Sequence, residues 1–482
     1  MDGGQRQGMR EDSAMRILLV NTNRMVPPIA PVGLDYLASV LTAAGHQVHL
    51  LDLCFEPEPD AAIDREIGAA DYQLVGVSVR NTDDCYYPGL GWFLPDVRRI
   101  VERIRSRTAT PVVLGGVGFS IMSEAVLDAV GANLGVRGEG EFAMLRLAAG
   151  EETAPGLVRR TDAGFEAAPR ASGDLSILPG STREAVDNAR YYEAGGQIGF
   201  QTKRGCDAHC IYCADPVAAG RSVRLRPPAV VAGEVGKLAA RGIMHLHTCD
   251  AEFNRPLDHA LAVCHALIEQ RLGDRLRWYA YCAPTPFPEE LALAMRAAGC
   301  AGINFGADSG DHSMLRRLGR DHSSGDLRVA AERCRNNGMA SMFDLLLGGP
   351  GETEATVRRS LRVVREAEPD RVGLSVGVRV YPGTPLAQYA RTHPNALHGP
   401  GAHDGGFAAP AYYLSPALGE SIFGLVSREV EDDPRFFFSD PTSTDRNYNY
   451  SDNTVLVDAI ARGYRGAYWD ILRRLQEGLP PE

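Results

Sequence analysis

The sequence predicts an α/β protein with a doubly wound domain first, a partial (β/α)6 barrel second and a mainly helical region last. Two observations lead to this fold class. Short apolar runs alternate with helical stretches over two long parts of the chain, and this rhythm breaks between them. Such alternation implies parallel strands joined by right-handed helical crossovers. At 482 residues, the chain has room for about three domains.

The first series of strands and helices covers roughly residues 15–150 and predicts a Rossmann-like sheet. RILLVNTN, HQVHLLDL, LVGVSVRN and PVVLGGVG are candidate buried strands, GLDYLASVLTAAG is a typical helix between them, and NLGVRGEGE ends the series. Such a sheet binds its ligand beyond the carboxyl ends of its strands. Residues 1–14 are polar, and we expect them to be a disordered lead-in rather than a signal peptide.

The second series occupies residues 196–390. Residues 151–195, which precede it, are rich in Gly, Pro, Ser and charge, and they predict a linker. About six strand candidates follow, from GGQIGFQTKRGC to RVGLSVGVRVYPGTP. They suit a partial parallel barrel with its active site at the carboxyl ends of the strands. Residues 391–482 end in a predicted helix pair and are expected to cap the barrel mouth, whereas FFFSDPTSTDRNYNYSDN predicts no element.

The composition favours a protein that acts on a small molecule. The net charge of −11 argues against a nucleic-acid groove, which presents a basic patch. No apolar run approaches the roughly 18 residues that a membrane helix needs. We therefore expect a cytoplasmic protein without nucleic-acid or membrane partners. Its ten cysteines should be reduced in that compartment.

Three of these cysteines, Cys206, Cys210 and Cys213, lie close together in TKRGCDAHCIYCADP. Thiolates bind zinc or iron–sulfur clusters. A structural zinc site needs four ligands, and the fourth here would be His209, directly beside Cys210. A cubane cluster held by three thiolates leaves one iron open to another ligand. The spacing therefore favours a 4Fe-4S cluster over zinc or chance.

The pattern C-x-x-x-C-x-aromatic-C after a first barrel strand, with Tyr212 as the aromatic residue, resembles the radical S-adenosylmethionine (SAM) superfamily. The resemblance implies that Cys206, Cys210 and Cys213 bind a 4Fe-4S cluster, and that Tyr212 belongs to the cofactor site. It further implies that the open iron chelates the amino and carboxylate groups of SAM.

The ends of later strands are similar to other motifs of the superfamily. TCDAEFN implies that Asp250 and Glu252 contact the methionine amino group, because carboxylates suit an ammonium partner. FGADSG implies that Asp308 and Ser309 contact the ribose, while LLLGGPGET and VRVYPGTPL resemble the fifth and sixth strand motifs. The same residues are compatible with a helix cap at Asp308 and with ordinary glycine turns.

The first domain resembles the cobalamin-binding domain that often precedes such a barrel, on PVGLDYLASVLTAAGHQVHLLD, LGGVGFS and RGEGE. The resemblance implies cobalamin contacts from Gly115, Gly116, Gly138 and Glu139. A D-x-H-x-x-G motif, which places a histidine under the cobalt, is missing. The third strand ends VSVRNTDD instead, and we expect Arg80 at the lower face of the corrin, where it stays protonated and cannot ligate cobalt.

Two alternatives to this role of Arg80 remain open: a surface ion pair with Asp83 or Asp84, and a domain that no longer binds cobalamin. The turn Ser-x-Arg-Asn is similar to one in cobalamin-dependent methylases that resemble the tryptophan 2-C-methyltransferase group.

These resemblances imply a cobalamin-dependent radical SAM C-methyltransferase that uses methylcobalamin and acts on a natural product or an amino-acid derivative. A low-potential donor of the flavodoxin or ferredoxin type would supply electrons. The substrate carbon would react through a 5′-deoxyadenosyl radical or as a nucleophile. The second route needs a base, for which Tyr279 and Tyr281 in RWYAYCAP are candidates, although core packing is the favoured explanation for them.

The main alternative is the same architecture catalysing a non-methylating radical rearrangement, cyclisation or oxidation. An iron–sulfur electron carrier or sensor is disfavoured by the open iron and the size of the remaining chain. An RNA-modifying methylthiolase is disfavoured because a second cysteine triplet and a basic appended domain are missing.

Overall fold

The computed structural model describes residues 14–87, 89–438 and 453–481, so nearly all of the predicted lead-in lies outside the described residues. The first sheet and its helices are formed by β1 (Arg16–Asn21), α1 (Val32–Ala43), β2 (Gln47–Asp52), α2 (Pro59–Ala69), β3 (Leu74–Ser78), α3 (Leu94–Arg107), β4 (Val112–Gly115), α4 (Val117–Ile121), α5 (Ser123–Val130), β5 (Leu134–Val136), α6 (Gly140–Ala148), β6 (Leu157–Thr161) and β7 (Gly164–Ala167). The strand order is β2-β1-β3-β4-β5-β6-β7, and β1 to β5 run parallel.

Both faces of this sheet are buried, as a doubly wound fold requires. Along β1, Leu18 and Val20 pack into one apolar cluster, whereas Ile17 and Leu19 pack into another. Successive side chains of a strand point to opposite faces, so a continuous apolar run feeds two cores at once. The predicted doubly wound domain is confirmed.

The sheet continues into the segment that the composition predicts to be a linker. Strands β6 and β7 form an antiparallel hairpin that pairs with the edge strand β5. Further on, Arg183 is fully buried and forms an ion pair with Asp35 at 3.2 Å. The hairpin strands LVRRT and GFEA are short and charged, which explains why no strand pattern is visible in the sequence.

The second part of the chain contains α7 (Asn188–Glu193), β8 (Gly199–Phe200), β9 (Lys203–Arg204), α8 (Asp215–Ala218), β10 (Arg224–Leu225), α9 (Pro228–Ala240), β11 (His245–Thr248), α10 (Leu257–Glu269), β12 (Arg277–Cys282), α11 (Glu289–Ala297), β13 (Cys300–Asp308), α12 (His312–Leu318), α13 (Ser324–Asn336), β14 (Ala340–Leu347), α14 (Glu354–Ala367), β15 (Arg371–Val376), β16 (Val378–Arg379), α15 (Pro385–Arg391), β17 (Leu397–His398), β18 (Tyr412–Tyr413), α16 (Ser421–Val430), β19 (Phe436–Phe437), α17 (Thr454–Ala461) and α18 (Tyr468–Gln476).

Its main sheet is parallel throughout, in the order β8-β11-β12-β13-β14-β15-β19. The first six strands follow one another in chain order, which agrees with the predicted partial barrel. The seventh, β19, comes from the aromatic stretch for which the sequence predicts no element, and Tyr448 and Tyr450 of that stretch lie outside the described residues. The domain boundaries given above stay predictions.

The predicted C-terminal helix pair corresponds to α17 and α18. Trp469 of α18 packs edge-on against Tyr279 of β12, with ring centroids 6.1 Å apart. Both rings belong to a small apolar cluster that also includes Leu456 and Tyr464. Among the described helices, none is both long and apolar enough to cross a membrane.

Candidate active site

The cysteine loop connects β9 to α8 and is fixed by backbone contacts on both sides. The Cys206 N–H donates to the Gly220 carbonyl at 3.0 Å, and the Ile211 N–H donates to the Leu318 carbonyl at 3.0 Å. Gly319, after α12, has a φ of +76°, and a Cβ there would overlap the His209 carbonyl. Glycine therefore allows α12 to approach the loop this closely.

All three cysteines line one cavity of about 160 Å³ at the carboxyl ends of the barrel strands. Burial raises the pKa of each thiol, so a bound cation is needed to hold them as thiolates at neutral pH. The other residues that line this cavity are Ala208, Tyr212, Asp215, Pro216, Ala251, Glu252, Tyr281, Cys282, Gly306, Arg320 and Asp344.

The donor set fits a cluster rather than a single zinc ion. In the part of the chain that the structure describes, no three His, Cys, Asp or Glu side chains converge on one metal position. Each thiolate of a cubane binds a different iron, so such convergence is not required there. His209 is exposed, and its Nδ1 lies 3.5 Å from Arg221. It is therefore turned to the surface, where a fourth zinc ligand would not be.

Arg320 connects the cysteine loop to two of the predicted cofactor residues. Its Nη1 lies 3.0 Å from Cys210 Sγ and 3.3 Å from Glu252 Oε1, and its Nε lies 3.3 Å from Asp308 Oδ2. The hydroxyl of Tyr212 donates to the same Asp308 carboxylate. An N–H···S hydrogen bond stabilises a thiolate and tunes a cluster's reduction potential.

Arg320 was not predicted from the sequence. It lies in HSMLRRLGRD, after α12, in a loop at the carboxyl edge of the barrel. The position of that loop was the one available signal, and it does not single out an arginine.

Two predicted cofactor residues are engaged by the chain itself. Asp250 accepts hydrogen bonds from the Thr202 N–H at 2.9 Å, the Thr202 hydroxyl at 2.6 Å and the Lys203 N–H at 3.2 Å. Ser309 is fully buried, with its Oγ 2.8 Å from Ser360 Oγ. Neither lines the cavity of the cysteines, and their contacts with SAM stay predictions.

Gly115 and Gly116 end strand β4 in the first domain. Gly116 has a φ of +101°, and a Cβ there would lie 2.6 Å from the Val79 carbonyl oxygen. Glycine thus lets the start of α4 pass close to the end of β3. Around Gly115 the nearest atom to a Cβ would be 3.8 Å away, so that position is open.

Glu139 connects the first domain to the barrel, and Gly138 stands beside it. Gly138 has a φ of +92°, and its N–H donates to Ser120 Oγ at 2.9 Å. Glu139 is buried, forms an ion pair with Arg224 and accepts the Gly173 N–H at 2.8 Å. Both residues act structurally in this arrangement, and a contact with cobalamin stays a prediction.

Arg80 lies at the carboxyl end of β3 and faces the second domain. Burial lowers its pKa, and the phenols of Tyr281 and Tyr468 are near enough to affect it. Asp83, a predicted surface partner, forms a buried ion pair with Arg379 instead, at 2.9 Å. The carboxyl ends of the two sheets therefore face each other, with Arg80 between them.

Exposed apolar side chains lie near the carboxyl ends of both sheets. Val26, after β1, and Val117, after β4, are each 55% exposed, and Tyr281 is 48% exposed although it lies on a barrel strand. Apolar walls with a cation at one side fit a flat macrocycle such as a corrin.

The two predicted tyrosines of β12 have different surroundings. Tyr279 is 4% exposed, and its hydroxyl donates to Asp470 Oδ2 at 2.8 Å. Tyr281 lines the cavity of the cysteines. Burial, followed by the Asp344 carboxylate, raises the pKa of Tyr281 to about 12, while Arg80 lowers it. At neutral pH Tyr281 is therefore a phenol that faces the reaction space.

Family models match both halves of this arrangement. Residues 19–148 match the B12 binding domain, and residues 200–364 match the Radical SAM superfamily. Together, fold and site define a radical SAM enzyme with a B12-binding domain.

Relatives match over nearly the whole chain. It is 30% identical to tryptophan 2-C-methyltransferase of Streptomyces laurentii, over 94% of this chain and 95% of the relative. The structure of the radical SAM methyltransferase TsrM from Kitasatospora setae with cobalamin and a [4Fe-4S] cluster bound matches at a TM-score of 0.87 and 30% identity, covering 96% of this chain and 98% of TsrM. Its structure with tryptophan substrate and the SAM analogue aza-SAM matches at 0.88 and 31%, covering 96% and 99%.

The chain belongs to this family of cobalamin-dependent radical SAM methyltransferases. The predicted family, fold class and enzyme class are thereby confirmed, and the three predicted cofactors are those found in the TsrM structures, with a SAM analogue in place of SAM.

Proposed function

We propose that this protein methylates a carbon of tryptophan or of a closely similar aromatic amino acid. One observation carries the proposal: the cysteine loop and the phenol of Tyr281 line one cavity, and the guanidinium of Arg80 approaches Tyr281 from the first domain. The relatives that act on tryptophan support the choice of substrate. When bound, the cluster, SAM and cobalamin would together supply the methyl group and the chemistry that transfers it.

On the barrel side, Cys206, Cys210 and Cys213 hold the cluster, and Arg320 orients Cys210. Glu252 lines the same cavity, and its Oε2 is buried without a hydrogen-bond partner, although Arg255 Nε is 3.5 Å away. It therefore keeps acceptor capacity for the ammonium of SAM. A low-potential flavodoxin or ferredoxin is the proposed electron donor.

On the side of the first domain, Arg80 would border the corrin when cobalamin is bound. A guanidinium stays protonated and carries no lone pair for cobalt, so Arg80 would contact the cofactor without ligating its metal. Gly115 and Gly116, at the carboxyl end of β4, are proposed to border the same ligand because doubly wound sheets bind at that edge.

Tyr281 is proposed to contact the reacting part of the substrate. Because it is a phenol at neutral pH, it can take a proton from the substrate only while it passes its own proton on. Asp344 lines the same cavity and lies close enough to raise the pKa of Tyr281, so it is the proposed acceptor. This arrangement suits a nucleophilic substrate, whose N–H loses its proton as the neighbouring carbon attacks the methyl group. The proton on that carbon then leaves and the nitrogen is protonated again, so one proton is released for each methyl group gained.

The test uses protein purified without oxygen and reconstituted with iron, sulfide and cobalamin. Incubation with SAM and tryptophan should give a methylated product and S-adenosylhomocysteine by mass spectrometry. Formation of 5′-deoxyadenosine without methylated product would instead indicate a rearrangement, cyclisation or oxidation. Replacing all three cysteines with Ala should remove the cluster absorbance; if the absorbance survives, these ligands are wrongly assigned.

A further inference from the structure

A small recess lies behind Tyr281, between the barrel strands and α18. Its walls include His247 of β11, Asn304 of β13, and Tyr468 and Trp469 of α18. Tyr281 also borders the main cavity, so the two spaces are neighbours. The recess measures about 10 Å³, which is close to the room that one water-sized group needs. An aromatic ring would not fit there, whereas a single small polar group would.

Two buried polar atoms in this recess have no hydrogen-bond partner: Asn304 Oδ1 and Tyr468 Oη. Both side chains are 4% exposed. The amide of Asn304 is oriented because its Nδ2 donates to Asp344 Oδ2 at 2.8 Å, which leaves its carbonyl oxygen for another donor. Buried polar atoms are normally satisfied, so both atoms are available to a polar group of a bound ligand.

The charges around the recess favour a cation. Burial lowers the pKa of His247 to about 3, so its ring is neutral at pH 7 and does not repel a positive group. The faces of Tyr281, Tyr468 and Trp469 attract cations. Asp344 stands one hydrogen bond behind Asn304. Arg80 is near Tyr281 and Tyr468 from the side of the first domain, so it is the group that would favour an anion instead.

We propose that the recess binds the protonated amine of the substrate, with an ammonium N–H donating to Asn304 Oδ1 and with Asp344 contributing the opposing charge. The aromatic ring then occupies the main cavity beside Tyr281. This inference rests on the proposed function and narrows its substrate class to molecules with a free amine: free amino acids and arylalkylamines, rather than N-acylated or peptide-internal residues.

The first test compares four compounds on the reconstituted wild-type enzyme, by calorimetric binding and by methylation rate. Tryptophan and tryptamine, which carry the amine, should bind. Indole-3-propionate and N-acetyltryptophan, which lack an ammonium, should bind about tenfold more weakly or worse, as expected for a lost hydrogen bond to a charged group. Binding of indole-3-propionate as tightly as tryptophan would overturn the inference, and so would preference for it over tryptamine, which would assign the recess to the carboxylate.

The second test uses variants. Asn304→Ala should reduce the preference for tryptophan over indole-3-propionate about tenfold, and Tyr468→Phe should reduce it by a smaller factor. Tyr412→Phe is the matched control, because Tyr412 Oη is also buried without a partner but lies in β18, away from the recess. An unchanged preference in Asn304→Ala contradicts the inference. The wild-type series decides the matter if that variant does not fold.

The two proposals fail differently. If the enzyme binds indole amines selectively but never methylates them, the proposed function is wrong and the amine recess stands. If it methylates indoles regardless of the amine, the proposed function stands and the recess is wrongly assigned.

Discussion

Arg320 is the residue on which the order of the cysteine cavity depends most, and replacing it gives a sharp prediction. Its side chain is 6% exposed, and the carboxylates of Glu252 and Asp308 that it contacts are 12% and 8% exposed. Arg320→Met keeps most of the volume but removes the charge. Two buried carboxylates would then face each other next to Cys210 without their shared cation.

The expected loss in the free energy of unfolding of the apoprotein is about 3–5 kcal/mol, because removing one partner of a buried ion pair leaves an uncompensated charge. Arg320→Lys keeps the charge but cannot reach several partners with a planar fork. It should cost about 1–3 kcal/mol, the range for hydrogen bonds to charged groups. Denaturant unfolding of the apoprotein measures both values, free of any effect on cluster content.

The control is Arg316→Met on α12, the helix that precedes Arg320, where the exposed guanidinium contacts His312 at 2.9 Å. Its loss should stay within about 0.5 kcal/mol. Reconstituted Arg320→Lys should bind the cluster but with a shifted reduction potential, because the hydrogen bond to Cys210 changes. An unfolding free energy of Arg320→Met within about 1 kcal/mol of wild type would refute the reasoning.

Three further predictions follow from the same contacts. Tyr281→Phe should reduce the methylation rate at least about tenfold while leaving the cluster absorbance unchanged. Full activity in this variant would exclude a role of Tyr281 in proton transfer. Gly319→Ala should lower the cluster content and reduce the free energy of unfolding by about 2 kcal/mol, because of the left-handed φ and the overlap with the His209 carbonyl. Gly131→Ala is the control, since Gly131 has a φ of +73° and open space around it. It should cost about 1 kcal/mol of unfolding free energy and keep the cluster. Burial raises the pKa of Glu352 to about 7 from 4.5, so the folded state binds the proton more tightly than the unfolded state does. The free energy of unfolding therefore falls as pH rises from about 4.5 to 7, by an amount on the order of 3 kcal/mol. Glu352→Gln should flatten that profile in denaturant unfolding, and a profile that keeps its slope would contradict the assignment.

The parts of the fold that could be read from the sequence are those set by local patterns. RILLVN is a buried strand because both of its faces meet apolar cores, and the six barrel strands up to β15 follow from the same reasoning. The hairpin of β6 and β7 could not be predicted, because LVRRT and GFEA carry too few apolar residues for a strand pattern, and β6 is placed by its pairing with β5 in the tertiary fold. Strand β19 is two residues long and exists because β15 offers it an edge.

The candidate site divides in the same way. The cysteine loop was evident because its three ligands lie within one short segment. Asn304 comes from β13, Arg320 from the loop after α12 and Tyr468 from α18, and only the tertiary fold brings them to the cavity and its neighbouring recess. A lone arginine or asparagine after a strand carries no signal of its own. Asp250 shows the opposite case. It occupies a motif position and is a carboxylate, as the motif requires, but here its side chain accepts hydrogen bonds that fix the turn at Thr202.

The two tyrosines of β12 show how a distant part of the chain decides which residue is available for chemistry. Two positions apart on one strand, Tyr279 and Tyr281 point to the same face of the sheet, so alternation alone treats them as equivalent. Their depth along the strand differs, and α18 covers the deeper one with Trp469 and takes its hydroxyl with Asp470. The same helix supplies Tyr468 to the wall of the recess. Helix α18 therefore leaves Tyr281 as the phenol available for the proposed contact with substrate, and it also shapes the recess that is proposed for the amine.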